Sequence, residues 1–106
     1  MDQSNLTSHL ERREELRRKI KAFGAASLTD EENLEFLLSY CTRSDTAPAA
    51  NALMKEFGSL KRVMESTVGA LVSVEEVTPQ MAQFLFLISQ AQRAVYDPRR
   101  SRKPLV

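Results

Sequence analysis

Apolar residues recur along this chain at intervals of three and four, broken by short polar runs, which predicts helices and no strands. Leu16, Ile20 and Phe23 set the first stripe, in a highly charged stretch running from about Ser8 to Phe23. Leu34, Leu37, Leu38 and Cys41 trace a second, with Phe36 and Tyr40 on an adjacent side, and Ala50, Leu53, Met54 and Phe57 a third. Two brief segments follow, one holding Leu60, Val63 and Met64, the other Val68, Leu71 and Val72. The longest stripe comes last: Met81, Phe84, Leu85, Ile88, Ala91 and Val95.

The punctuation agrees with the stripes. Gly24 and Gly58 stand where a helix end needs a backbone that side chains resist. Thr29-Asp-Glu-Glu32 has the spacing of a capping box, with acids in the first turn to complement the helix dipole. Thr46-Ala-Pro48 reads as a cap with proline in the first turn, Ser59 as the cap of a connector, and Ser66 or Thr67 as the next. Thr78-Pro79 opens the last helix, and Asp97-Pro98 closes it. The expected architecture is an all-α compact bundle of five or six helices, two helix-hairpin-helix-like units plus an N-terminal helix. Residues 1–8 are expected to be a flexible N-terminus, 9–97 a helical domain, and 98–106 a basic C-terminal tail or linker.

Composition narrows the class. With 106 residues and 42 % hydrophobic content, the chain suits one domain with a modest core. No stretch approaches the roughly 20 apolar residues that span a bilayer, and no secretory leader pattern opens the chain. A single cysteine excludes an internal disulfide, so a reducing, cytoplasmic setting is the expectation. Residues 1–21 hold six bases and four acids, residues 22–98 five bases and ten acids, and the tail four bases. The body is therefore acidic and the positive charge sits at the ends, which disfavours a phosphate-gripping core.

The order of elements is most specific from Leu71 to Leu85. A short helix, a tight turn around Val77 and a long helix opened by Thr78-Pro79 form the layout of a helix-hairpin-helix element, which usually holds a nucleic-acid phosphate. The positions flanking Val77, where such turns carry glycine, are Glu76 and Thr78.

Ala26-Ser-Leu-Thr-Asp-Glu-Glu-Asn-Leu-Glu-Phe-Leu-Leu38 resembles the "LSDAELLAILL" signature of RadC-family proteins. Phe57-Gly-Ser-Leu60 matches their "FGSL", and Val74 to Ala82 aligns with their "IKGIGPAKA" hairpin. The resemblance covers roughly residues 16–96. It implies an N-terminal helix-hairpin-helix-like domain, linked by name to DNA repair, that precedes a JAB/JAMM metalloprotease-like domain in the family. That domain's His-x-His pattern cannot be built in a chain whose one histidine is His9. The family's Gly-Ile-Gly becomes Glu76-Val77-Thr78, and its following lysine aligns with Met81. Val77 keeps the apolar plug. The glycines that would let a phosphate approach the backbone are replaced, and Glu75 and Glu76 would repel it.

No nucleophile–base pair, metal set or nucleotide loop can be assembled, so neither an enzyme nor a cofactor-binding protein is expected. Cys41 lies on an apolar stripe without a partner histidine or second cysteine. The cluster Asp30, Glu31, Glu32 and Glu35 is explained mostly by the helix dipole. Two functions stay open. One is weak, sequence-independent association with a DNA backbone, through Arg43, Lys61, Arg62, Thr78 and Gln80 and the tail bases Arg99, Arg100, Arg102 and Lys103. The other is a protein-interaction or regulatory module with DNA binding lost. It would use Ala82, Phe86 and Leu87 on the last helix to dock a metalloprotease-like domain or to self-associate.

Overall fold

The computed structural model describes residues 3–98, with side chains from Ser8 onward. Among these residues the chain forms six α-helices and no strand: α1 (Gln3–Phe23), α2 (Asp30–Leu38), α3 (Ala47–Phe57), α4 (Leu60–Met64), α5 (Val68–Val72) and α6 (Pro79–Tyr96), with a 3-10 turn at Ala25–Ser27. The all-α bundle expected from the periodicity is the fold. Helix α1 starts at Gln3 instead of near Ser8, because neither glycine nor proline interrupts the segment and helical geometry can continue through it.

Most of the expected stops and starts are in place. Gly24 and Gly58 both take positive φ, 88° and 86°, and the Gly58 N–H donates to Met54 O as α3 ends. At the start of α2 the Thr29 hydroxyl accepts from the Glu32 N–H, and the Glu32 carboxylate accepts from the Thr29 N–H, completing the capping box. Ser59, Thr67 and Thr78 cap α4, α5 and α6 with the hydroxyl bond alone. Thr46 departs from expectation. It is buried, and its hydroxyl donates 2.8 Å to the carbonyl of Glu35, while the Asp45 carboxylate accepts from the Ala47 N–H. The threonine is thereby spent on joining α3 to α2.

Helix α2 packs on α3, and α5 on α6, with α4 bridging the two pairs. Between them lies one core of Leu34, Leu38, Ala49, Ala50, Leu53, Val63, Leu71, Val77, Met81, Ala82 and Leu85. Leu16 of α1 and Leu28 are also buried but lie outside this cluster. The inner face of α1 is otherwise polar. Arg12 pairs with Glu35 at 3.2 Å, Lys19 with Glu32 at 3.1 Å, and Arg13 donates to Thr42 O.

Three residues on the predicted stripes face solvent instead. Phe23 is exposed at the end of α1, just before Gly24 and the 3-10 turn. Ala91 and Val95 are exposed because the buried face of α6 is Met81, Ala82, Leu85 and Ser89, rotated from the stripe that the sequence pattern drew. Cys41 is half-buried against the core.

Candidate functional site

The second hairpin forms first from local rules. The Val77 N–H donates 3.1 Å to Val74 O, closing a four-residue turn with Glu76 at its third position. Glu76 takes φ 78°, the one described non-glycine residue with positive φ, where a type II turn calls for glycine. Burial of Val77 in the core holds this backbone in place despite the side chain. The turn thus keeps its shape with a glutamate at the position that favours glycine.

What it offers a ligand is reduced. An anion at a helix N-terminus needs free backbone N–H groups. Pro79 has none, and the Met81 N–H is taken by the Thr78 hydroxyl at 3.1 Å. Gln80 turns away from any external partner: its amide donates 2.9 Å to the carbonyl of Cys41, in the loop between α2 and α3. Glu75 and Glu76 stand exposed beside the turn.

The first loop, Ser39 to Thr46, is bound by α1. Arg13 donates to the carbonyls of Thr42 and Ser44, and His9 Nε2 lies 2.9 Å from the carbonyl of Arg43. The Arg43 side chain is exposed. The structure therefore brings Thr78 and Gln80 next to the Arg43 loop through one amide bridge, with Thr78 and Gln80 serving internal bonds. Lys61 and Arg62 are exposed on α4, where Lys61 lines a groove together with Asp30, Glu65 and Arg93. Arg99, Arg100, Arg102 and Lys103 lie outside the described residues.

Each acid of the Asp30–Glu35 cluster has a protein partner. Asp30 accepts the Leu60 N–H at 2.9 Å and so closes the start of α4; Glu31 faces the Asn51 amide at 3.4 Å. The Thr29 N–H, then Lys19 and Arg12, hold the Glu32 carboxyl below its ordinary range. The hydrogen bond to Glu35 raises the Arg12 guanidinium further still. Among the described residues no group of carboxylates, histidines or cysteines could hold a metal. Burial pushes the Cys41 thiol up, which keeps it protonated and a poor nucleophile.

The interface residues divide. Ala82 is fully buried in the core and cannot meet a partner, because it falls on the α6 face that packs inward. Phe86 is at the margin of exposure and Leu87 is 66 % exposed. One helical turn apart, Leu87, Ala91 and Val95 all face solvent, and Gln83 and Gln90 flank them. Beyond Ser89 the opposite side of α6 overhangs a groove of about 600 Å³ with Leu60, Met64 and a largely exposed Tyr96.

Sequence reasoning missed Arg12, Arg13 and Lys19 as the residues that join α1 to α2 and the first loop. The spacing His9, Arg12, Arg13, Leu16, Lys19, Ile20 marks a single basic face of α1, and that was the available signal. No helix of the described residues is long and apolar enough to cross a membrane.

No family model matches the chain, and no solved structure does. The chain is similar to the UPF0758 protein FN0909 of Fusobacterium nucleatum, 30 % identical over 95 residues, which is 89 % of this chain. It spans only 41 % of that relative's length.

Proposed function

We infer that this chain is a helical, non-catalytic module of a RadC-like protein, acting by docking protein rather than by gripping phosphate. The likeness to a UPF0758 protein, a family that carries the RadC name, supports the RadC-like part. The docking part rests on one observation above all: α6 has two apolar faces and the core covers only one. Of its 18 residues a single one is charged, Arg93, although 27 % of the whole chain is. Surfaces depleted of charge around exposed Leu and Val are those that proteins cover with other proteins.

Titrating a short DNA duplex with the full chain at low salt tests this against nucleic-acid binding. The expected result is weak, salt-sensitive binding that disappears when Arg99, Arg100, Arg102 and Lys103 are all replaced by serine. If that variant still binds and Arg43→Ala weakens it, the docking reading gives way.

Backbone contact with nucleic acid keeps one specific observation in its favour. The Val74–Val77 turn closes with positive φ at Glu76, a shape that supports the reading of a phosphate hairpin. On that reading Arg43, Lys61 and Arg62 supply the charge, and Glu76→Gly strengthens binding by removing a carboxylate and freeing the backbone approach.

A further inference from the structure

We propose that the surface beneath α1 is a docking site for a cationic helix supplied in trans, and that α1 is its weak resident occupant. This site shares no residue with the outward face of α6. Side-chain contacts from α1 to the body run one way, with donors on α1 and acceptors below it. Arg12 reaches the carboxylates of Glu35 at 3.2 Å and Glu32 at 3.7 Å, and Lys19 reaches Glu32 at 3.1 Å. Arg13 donates to the carbonyls of Thr42 and Ser44, and the His9 ring meets that of Arg43. The Arg17 guanidinium lies 5.8 Å from the centre of the Phe36 ring. Carboxylates, carbonyls and a ring face together select a partner that bears cations and reject an anionic or purely apolar one.

These acceptors are held without help from α1. The Thr29 N–H fixes the Glu32 carboxylate, the Thr46 hydroxyl ties the Glu35 carbonyl to α3, and the Gln80 amide holds Cys41 O at the root of the loop. Such a surface is preorganised for whatever covers it. Its present cover fits poorly. Of Leu10, Leu16, Ile20 and Phe23 in α1 only Leu16 is buried, and Leu10 and Phe23 are exposed. Part-exposed ion pairs hold such a helix weakly. Gly24 supplies the pivot: it takes φ 88°, nothing lies within 4 Å of where its Cβ would stand, and Ala25 and Ala26 beyond it are exposed. A helix with the same cations and a better apolar match displaces α1 by swinging it out at this point.

A fluorescein-labelled peptide of residues 8–23, titrated into the full chain and followed by anisotropy, tests the site with an occupant that fits it. Tethering keeps α1 at about millimolar effective concentration, so the intact chain should bind the peptide weakly. Arg12→Ala/Arg13→Ala in the chain loosens α1 and leaves every acceptor in place, and should tighten binding about tenfold or more. A peptide carrying Arg12→Ala, Arg13→Ala and Lys19→Ala should not bind, and added salt should weaken the native one. Hydrogen exchange of the intact chain with millimolar peptide reads the displacement itself: α1 should lose protection while α3 and α6 keep theirs. That measurement decides the question where circular dichroism shows the loosened chain to be unfolded. Equal affinity of the intact chain and a folded loosened one, equal binding of the two peptides, or α1 protection unmoved by the peptide each overturns the proposal. None of these results touches the docking reading of α6, which fails on the duplex titration instead.

Discussion

At residue scale the most consequential position is Glu76, which holds φ 78° where a side chain costs about 1–2 kcal/mol. Glu76→Gly removes that cost, less the extra entropy a glycine loses on folding, and is expected to stabilise the chain by about 0.5–1 kcal/mol in urea denaturation. A destabilised variant would mean the Glu76 side chain makes a contact worth more than the strain. Its neighbour acts in the other direction. Val77→Ala removes two buried methyl groups from the plug of the same turn and is expected to cost about 2 kcal/mol. Two adjacent substitutions of opposite sign, one for backbone and one for packing, separate the two forces that hold this hairpin.

At the scale of elements, α1 is attached differently from the rest. Its polar inner face meets α2 through Arg12, Lys19 and the carboxylates of Glu32 and Glu35, with Leu16 the one fully buried apolar residue there. Such part-exposed pairs weaken in salt. Native-state hydrogen exchange should therefore find α1 opening at lower free energy than α2, α3 and α6, and opening more readily in 1 M salt. Equal protection throughout, unmoved by salt, would refute this. Acid acts on the same contact. The Glu32 carboxyl is held below its ordinary range, so its contribution is complete at neutral pH and is lost as pH falls below the ordinary glutamate value and through the lower folded one. Glu32→Gln should flatten the acid limb of a stability–pH curve followed by circular dichroism. It should also loosen α1, since the capping box and the Lys19 pair share that carboxylate.

Across the whole molecule, element order and the α2/α3 and α5/α6 pairing were legible because caps and three–four spacing are local signals. What periodicity could not supply was orientation. Helix α6 is apolar over so much of its circumference that Met81, Phe84, Leu85, Ile88, Ala91 and Val95 fit one stripe as well as Met81, Ala82, Leu85 and Ser89 fit another; only packing against α5, α2 and α4 decides. Ala82 was thus placed outside and Val95 inside, both against the structure. The site residues were harder still. The partners of Thr46, Gln80 and Arg13 lie 11 to 39 positions away, beyond any local pattern. The helix–turn–helix layout around Val77 flagged the second hairpin, and in the structure Thr78 caps α6 while Gln80 is committed to the carbonyl of Cys41 in the other loop.

That Gln80–Cys41 bridge has a mechanical consequence. It is a neutral strut between two arches, one plugged into the core by Val77 and the other held by Arg13 of α1 and by Cys41 against that same core. Clipping it to Ala should leave the melting profile nearly untouched yet let each arch fluctuate on its own timescale, a decoupling that relaxation-dispersion NMR on the two loops would register.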